Sequence, residues 1–242
     1  MNKKMYFLIV SLCVSFVLLS GCLGYTIIKT SDEQPVAQPT YQKITETDAS
    51  SYNTQPQINP IKITQYHPSG WVGYSNYRDG FKIYKPSNWE TSVNSEDYGS
   101  VTTKGVTLLE DVYLLSPTKN GAIGIFAKDY TGTIWAVPTS QIIAYITNAD
   151  YNARVNSLFS DTEKYSYSNI VRDTSYYTLN GNPVRFASGK MYNNYDGSTK
   201  DAYVIFASHG SIDYTIAYLA TSDATTSERN MAKDIMYTFE TL

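Results

Sequence analysis

Side chains of the types that most often carry chemistry are few in this chain of 242 residues. It contains two histidines, His67 and His209, and each lies close to a proline or a glycine, as in a turn. A general base needs an oriented partner and a metal centre usually needs several ligands, and neither histidine belongs to such a set. The acidic pairs Glu96-Asp97 and Glu110-Asp111 are sequence neighbours, which point to opposite faces of a strand. We therefore predict no catalytic residue, no metal ligand and no cofactor.

One segment is rich in oxygen ligands. Residues 193–201 read Asn-Asn-Tyr-Asp-Gly-Ser-Thr-Lys-Asp, and calcium prefers about six to eight oxygen ligands. The spacing and the final glutamate of an EF-hand are missing, and turns prefer the same residue types. We interpret the segment as a solvated loop between two strands. Tyr195, Asp196 and Asp201, together with Trp135, form a weak candidate binding surface.

Tyrosine is unusually common, with 23 residues, and this composition favours strands with one wet side. The tyrosines and the three tryptophans could line a sugar- or peptide-binding face. Packing on a sheet is the favoured interpretation, because scattered exposed aromatic residues are common on native surfaces. The net charge is −3 and no basic cluster is present, so we predict that the protein does not bind nucleic acid.

The N-terminal residues are typical of an export signal. A short basic start precedes an apolar run from Met5 to Leu19, which is short for a membrane span. Leu19-Ser20-Gly21-Cys22 is similar to the lipobox of bacterial and archaeal lipoproteins, in which the cysteine sulfur carries the lipid. We predict a signal peptide over 1–21 and lipid attachment at Cys22, on the extracytoplasmic face of the cell membrane. An uncleaved anchor and a soluble secreted form are the alternatives.

The composition changes after the predicted signal. Gln, Thr, Ser, Asp and Pro predominate over residues 22–70, and such a segment cannot bury enough apolar surface to fold. We predict an extended, disordered polar tether over 22–70 and one globular domain over 71–242. The only cysteines, Cys13 and Cys22, precede this domain. Disulfides, thiolate nucleophiles and zinc bound by cysteine are therefore excluded from it.

The domain shows β-prone runs that are separated by turn pairs. The pairs are Asp79-Gly80, Asn120-Gly121, Asn180-Gly181 and His209-Gly210, and the glycine or asparagine in them tolerates positive φ. Four antiparallel hairpins are predicted: Tyr74–Arg78 with Phe81–Tyr84, Val112–Leu115 with Ala122–Tyr130, Ser175–Leu179 with Val184–Tyr192, and Ala202–Ala207 with Ile212–Leu219.

Two stretches have helical periodicity instead. Thr139 or Ser140 could cap a helix that runs to Phe159. Its apolar stripe would be Ile142, Ile146, Ala149 and Ala153. Thr225-x-x-Glu228 has the form of a capping box before a second helix. The apolar stripe of that helix is Ala232, Ile235, Met236 and Phe239. The predicted fold class is α+β, an antiparallel β-sheet flanked by helices.

The order of these elements resembles the PsbP-like family, whose founding members are extrinsic subunits of the photosystem II oxygen-evolving complex. The residues Gly80-Phe81-Lys82-Ile83-Tyr84-Lys85-Pro86-Ser87-Asn88-Trp89 are similar to the family's opening pattern G-F-x-I-x-Y-P-x-x-W, with the tyrosine displaced by one position. The resemblance covers about residues 71–242. It implies a PsbP-like α/β sandwich that serves as a docking or accessory module, with Phe81 and Ile83 in the core. The lipid anchor and the tether resemble PsbP-related lipoproteins of prokaryotes, so a photosystem role is not carried over.

These features predict a membrane-anchored extracytoplasmic lipoprotein whose non-catalytic PsbP-like domain binds another protein of the cell envelope. The alternative is an extracytoplasmic carrier of calcium or another small ligand. A hydrolase with a site assembled from dispersed residues is the least favoured hypothesis. It is disfavoured because the chain has no Gly-x-Ser-x-Gly elbow and no phosphate-binding glycine loop.

Overall fold

A computed structural model describes residues 58–94, 101–103, 106–108, 111–131, 145–160 and 163–242. The predicted signal peptide, Cys22, most of the predicted tether and Trp135 lie outside the described residues. Neither helix within the described ranges has the length and apolar character that crossing a membrane requires.

Strands dominate the structure. In chain order the described elements are β1 (Ile61–Ile63), β2 (Val72–Asn76), β3 (Phe81–Lys85), β4 (Glu90–Asn94), β5 (Val101–Thr103), β6 (Val106–Leu108), β7 (Asp111–Leu115), β8 (Gly121–Asp129), α1 (Asn148–Leu158), β9 (Tyr165–Arg172), β10 (Tyr177–Leu179), β11 (Asn182–Asn193), β12 (Thr199–His209), β13 (Ile212–Thr221), α2 (Thr226–Tyr237) and β14 (Glu240–Thr241).

The main sheet has eleven strands, and its centre is the antiparallel ladder β11-β12-β13-β8. On the far side of β11, β10 and β9 pair with successive parts of that strand, and β1 adds to β10 in parallel. Beyond β8, the strands β6 and β7 pair with it, and β5 and β4 pair with them in turn. A separate three-stranded sheet, β14-β3-β2, packs Phe81 and Ile83 into the core, as predicted.

The two helices cover opposite faces of the main sheet. Alternate residues of the central strands pack in different cores because successive side chains of a strand point to opposite faces. Ile205 of β12 packs in the core that also contains Ile235 of α2 and the small sheet. Val204 and Phe206 of the same strand pack instead with Tyr151 of α1. The predicted α+β class with an antiparallel sheet is confirmed.

The four predicted hairpins are all present, and so is the C-terminal helix. β2–β3, β7–β8, β10–β11 and β12–β13 are antiparallel pairs. In the β7–β8 turn the positive φ lies at Lys119 (63°) and not at Asn120-Gly121 as predicted, because Gly121 already belongs to β8. The hydroxyl of Thr225 accepts a hydrogen bond from the Glu228 backbone N–H at 3.1 Å, which is the expected N-cap of α2. The predicted capping position is therefore confirmed.

The first helix differs from its prediction. In the described part of the chain it begins at Asn148 with Thr147 as its N-cap, whose hydroxyl accepts from the Asp150 N–H at 3.2 Å. The predicted caps Thr139 and Ser140 lie outside the described residues. Ala149 and Ala153 are exposed, and the buried side chains of α1 are Tyr151, Val155 and Leu158. Ile146 of the predicted stripe is buried just before the helix, and Ile142 lies outside the described residues. The prediction was wrong at Ala149 and Ala153, because burying three large side chains removes more apolar surface from water than burying two alanines.

The folded part begins before the predicted boundary at residue 71. The Ile61 N–H donates to the Tyr176 carbonyl at 2.8 Å, and β1 pairs residue by residue with β10. His67 stacks on the ring of Tyr84 at 3.8 Å between centroids. The end of the predicted tether, from about Ile58, is therefore part of the domain.

Asn180 joins the two ends of the domain. It adopts φ 49° in the β10–β11 turn. Its backbone N–H donates to the Ile63 carbonyl at 3.0 Å, and its Oδ1 accepts from the Gln65 N–H at 3.1 Å. Its Nδ2 donates to the carbonyls of Tyr237 and Phe239 at 3.0 and 2.9 Å. One side chain thus connects the entering chain to the end of α2.

Replacing Asn180 by alanine is expected to lower the free energy of unfolding by about 2.5–5.5 kcal/mol. Three side-chain hydrogen bonds of about 0.5–1.5 kcal/mol each are lost, and alanine at positive φ costs about 1 kcal/mol more. Asn169→Ala is the matched control, because Asn169 has φ 52° and the structure shows no comparable set of hydrogen bonds there. Urea unfolding should give a loss near 1 kcal/mol for the control. Equal losses for the two variants would contradict the role of Asn180.

Candidate functional site

The predicted loop residues lie at the tip of the β11–β12 hairpin. The Asn193 N–H donates to the Ser198 carbonyl at 2.9 Å and the Gly197 N–H donates to the Asn193 carbonyl at 3.0 Å. Asp196 Oδ1 accepts from the Ser198 N–H at 2.8 Å, and hydrogen bonds from Ser198 hold the pKa of Asp196 below its ordinary value. Tyr195 is exposed at this tip. The polar groups of the loop therefore shape a turn, in agreement with the interpretation from sequence.

Asp201 lies on β12 and is engaged by two cations. Its carboxylate accepts from Lys190 Nζ at 3.0 Å and from Arg229 Nη1 at 2.6 Å. Partial burial opposes ionisation of Asp201, but the two cations outweigh it and keep its pKa below the ordinary value. The calcium alternative gains no support here, because the Asp196 and Asp201 oxygens already accept these hydrogen bonds. Within the described residues, no three His, Cys, Asp or Glu side chains are grouped as metal ligands.

His209 has neutral neighbours. Its Nδ1 lies 3.2 Å from Asn182 Oδ1 and 3.2 Å from Thr241 Oγ1, and the residue is exposed at the β12–β13 turn. These contacts fasten the C-terminal strand β14 to the main sheet. They match the interpretation of His209 as a turn residue, and the absence of a catalytic residue stays a prediction.

A polar row under α1 was not foreseen from the sequence. The Ser208 hydroxyl donates to Asp213 Oδ1 at 2.8 Å, and Arg154 of α1 pairs with Asp213 Oδ2 at 2.7 Å and donates to Ser208 Oγ at 3.0 Å. Lys128 lies across from Asp213 on β8, and burial lowers its pKa to about 8. Ser208 is only 2% exposed, so a substrate cannot reach its hydroxyl. The row fastens α1 to the sheet.

One feature of the sequence could have indicated this polar row, namely the register of the predicted β12–β13 hairpin. Two strands joined by the tight turn at His209-Gly210 place Ser208 opposite Asp213. A polar pair at that position in otherwise apolar strands marks a contact with another charged element. The arginine that meets it comes from a helix more than 50 residues earlier, which spacing alone does not indicate.

A second cation, which is buried, contacts the N-terminal end of α1. Arg185 of β11 lies between two tyrosine rings, with its guanidinium carbon 4.1 Å from the Tyr151 centroid and 4.6 Å from the Tyr176 centroid. It donates to the Ile146 carbonyl at 3.2 Å and to Asn148 Oδ1 at 3.1 Å. Cation–π contacts of this kind replace the water lost by a buried guanidinium. The two arginines therefore stabilise the helix position.

One part of the sheet is not covered by a helix in the described structure. On β9 and β11, the side chains that point to the α2 face are Ser166, Ser168, Val171, Ser188, Lys190 and Tyr192, which we call the open face. Val171 is 62% exposed and Tyr192 is 46% exposed. On the opposite face of the same strands, Tyr165 and Met191 are buried in the core beneath α1. In the described structure, β9 and the part of β11 from Ser188 to Tyr192 are therefore covered by a helix on one face only, whereas Val184 and Phe186 of β11 are buried on the α2 face as well.

One side of helix α2 lies beside the open face. Arg229, Lys233 and Tyr237 follow one another at intervals of four residues, which places them along one side of the helix. Arg229 pairs with Asp201, and Lys233 Nζ lies 4.8 Å from the ring centroid of Tyr203. The hydroxyls of Tyr203 and Tyr237 are 2.8 Å apart. This side of α2 and the open face together form a continuous surface of aromatic, hydroxyl and basic side chains, which we call the shelf.

Only some of the predicted binding residues lie at this shelf. Asp201 lies between the open face and α2, where it joins Lys190 to Arg229. Tyr195 and Asp196 lie at the tip of the adjoining hairpin. Trp135 lies outside the described residues. Sequence reasoning missed Val171 and Tyr192, because only the pairing of β9 with β11 shows that these two residues share an uncovered face.

The chain is distantly similar to several proteins of known structure. No family model and no curated protein matches the chain. Among solved structures it is similar to cyanobacterial PsbP (CyanoP) from Synechocystis, with 10% identity, a TM-score of 0.47, and coverage of 73% of this chain and 95% of that chain. It is also similar to LpqN, involved in cell envelope biogenesis of Mycobacterium tuberculosis, with 14% identity, a TM-score of 0.42, and coverage of 75% and 88%. These likenesses are distant and carry no argument about function, so membership of the PsbP-like family stays a prediction.

Asp111 is a buried carboxyl whose surroundings oppose its ionisation. It is 2% exposed at the start of β7, and the Tyr113 hydroxyl donates to its Oδ2 at 3.0 Å. Burial raises the pKa of Asp111 to about 7, and the nearby charge of Asp79 adds to the effect. The carboxyl is therefore largely protonated in the folded protein at mildly acidic pH, where it is ionised in the unfolded chain.

Asp111→Asn is expected to stabilise the protein at pH 8 and to have little effect at pH 4. Because the folded-state pKa is raised, the wild-type carboxyl costs nothing below the unfolded pKa of about 3.9, and its cost grows until pH passes about 7. The pKa is raised by about three units, so at about 1.4 kcal/mol per unit the gain at pH 8 should be about 4 kcal/mol. Urea unfolding at both pH values measures it. Asp234→Asn makes the same exchange of side chains on the exposed side of α2 and is the control for the substitution itself.

Proposed function

We propose that the chain is a lipid-anchored extracytoplasmic protein whose domain binds another protein of the cell envelope and catalyses no reaction. The observation that carries this proposal is the open face. Val171 and Tyr192 remain exposed on strands whose other face packs Tyr165 and Met191 in the core beneath α1. Exposed aliphatic and aromatic side chains beside hydroxyl and basic groups are typical of a surface that contacts a partner.

The buried polar groups support a binding role over a catalytic one. Ser208 and Asp213 are the described serine and carboxylate that most resemble part of a reactive set, and both are hydrogen-bonded to Arg154. Arg185 is enclosed by two tyrosines and by backbone carbonyls. Apart from Arg185 Nε, the polar atoms of these groups have hydrogen-bond or ion-pair partners inside the fold, whereas a reacting group must face a substrate.

The anchor is proposed from the N-terminal residues. Cys22 follows Leu19-Ser20-Gly21 and an apolar run of signal-peptide length. Lipid chains on this cysteine would hold the protein durably at the membrane, since each buried CH₂ contributes about 0.8 kcal/mol. The polar segment up to about residue 57 would then separate the domain from the anchor.

Cys22→Ala is expected to move the protein from the membrane fraction to the soluble fraction and to abolish labelling with a radioactive fatty acid. Cys13→Ala is the matched control, because Cys13 lies within the apolar run and is not preceded by a lipobox. The control should remain in the membrane and should be labelled. Retention and labelling of the Cys22 variant would contradict lipid attachment at this residue.

A photo-crosslinking amino acid in place of Tyr192 should give a defined adduct with one envelope protein in intact cells. The same amino acid in place of Tyr77 should give none, although Tyr77 is more exposed, because it lies at the β2–β3 turn of the small sheet. Denaturing gels and peptide mapping of the adducts measure the difference. Adducts of equal yield at both positions, or none at Tyr192, would contradict binding through the open face.

A further inference from the structure

The strand that connects the N-terminal part of the chain to the domain is short and lies at the sheet edge. β1 has three residues and, among the described strands, pairs with β10 alone. The pairing is parallel, which is slightly less stable per residue than antiparallel pairing. Ile61 is 53% exposed and Lys62 is also exposed, so side-chain burial holds only part of the strand.

The groups that hold β1 would recognise an extended segment of many sequences. The Tyr176 carbonyl accepts from the Ile61 N–H, and the Asn180 N–H donates to the Ile63 carbonyl. Asn180 Oδ1 accepts from the Gln65 N–H. The one side chain of β1 that packs against the core is Ile63. Recognition therefore requires an extended backbone and a single apolar residue with polar neighbours.

Release of β1 would leave a site with the shape of a strand. The Tyr176 carbonyl, the Asn180 N–H and the Asn180 Oδ1 would lose their partners at the edge of β10, and such an edge is a template for another chain. Addition of a partner strand to an exposed edge is a general mode of peptide recognition. This edge also adjoins the open face, because β9 and β10 pair with successive parts of the same side of β11.

We propose that the edge of β10 is a strand-acceptor site, that β1 is its resident occupant, and that an extended segment of the partner protein displaces β1. The identity of the occupant as a partner segment rests on the proposed binding function. The occupant is an extended polypeptide that lies parallel to β10 and places one apolar residue where Ile63 lies. Since β1 is covalently attached, it competes with an effective concentration of about millimolar.

A synthetic peptide of residues 58–65 is the probe, since it reproduces every contact of β1. Its binding to the full chain is measured by fluorescence anisotropy in detergent, with Cys13 and Cys22 replaced by serine. Lys62→Cys together with Thr178→Cys then forms the only disulfide, because these residues are direct partners in the β1–β10 pairing. Oxidation should abolish peptide binding, and reduction should restore it. The variant Ile61→Pro with Ile63→Asp, in which β1 is released, should bind the peptide at least about tenfold more tightly than the wild type.

A peptide with aspartate at the position of Ile63 is the control and should not bind. Equal affinity for the oxidised and the reduced protein would place the peptide elsewhere and overturn the proposal. Binding by the released variant that is no tighter than that of the wild type would also overturn it, and if that variant fails to fold, the redox comparison decides alone. This result can be told apart from the crosslinking at Tyr192. If the peptide fails to bind but a specific adduct forms at Tyr192, only the strand-acceptor site is refuted. If the peptide binds but no specific adduct forms at Tyr192, only the envelope partner is refuted.

Discussion

The structure depends on the antiparallel ladder of β11, β12, β13 and β8. Its register places Ile205, Ile216 and Ile125 side by side across three strands, all fully buried. Because the side chains alternate between faces, the same strands present a second set, with Val204 and Ala217, to the other side. A sheet that is apolar on both faces needs cover on both, and this requirement places α1 on one face and α2 with the small sheet on the other.

Covering both faces leaves the helices with polar groups that must be satisfied without water. Arg185 meets this requirement at the N-terminal end of α1, and Arg154 meets it near the middle of the helix. Asn180 does the same for the end of α2, whose last carbonyls have no partner within the helix. Buried polar groups of this kind cost free energy unless they are paired, so they determine where each element packs. The positions of Arg154 and Arg185 are thus explained by folding.

The cover is incomplete at β9 and β11, and this is where the surface differs from the rest of the described domain. The open face carries serines, a lysine, a tyrosine and a valine, while the buried side of the same strands carries Tyr165 and Met191. The edge of β10 next to the open face is paired with β1, which enters from the N-terminal part of the chain. The proposed binding surface and the strand that enters from the N-terminal part of the chain therefore both lie beside the same edge of β11.

The amino-acid sequence by itself determined the local elements of this protein. The turn pairs at Asp79-Gly80, Asn180-Gly181 and His209-Gly210 and the cap at Thr225 depend on neighbours a few residues away, so their types and positions could be read directly. Only the tertiary structure decided that β1 belongs to the domain, that Arg154 meets Ser208 and Asp213, and that Val171 and Tyr192 share an uncovered face. Each of these results comes from pairing or contact between residues far apart in the chain. A short three-residue strand or a lone arginine has no local pattern that distinguishes its partner, because the interaction exists only after the sheet has brought the two together.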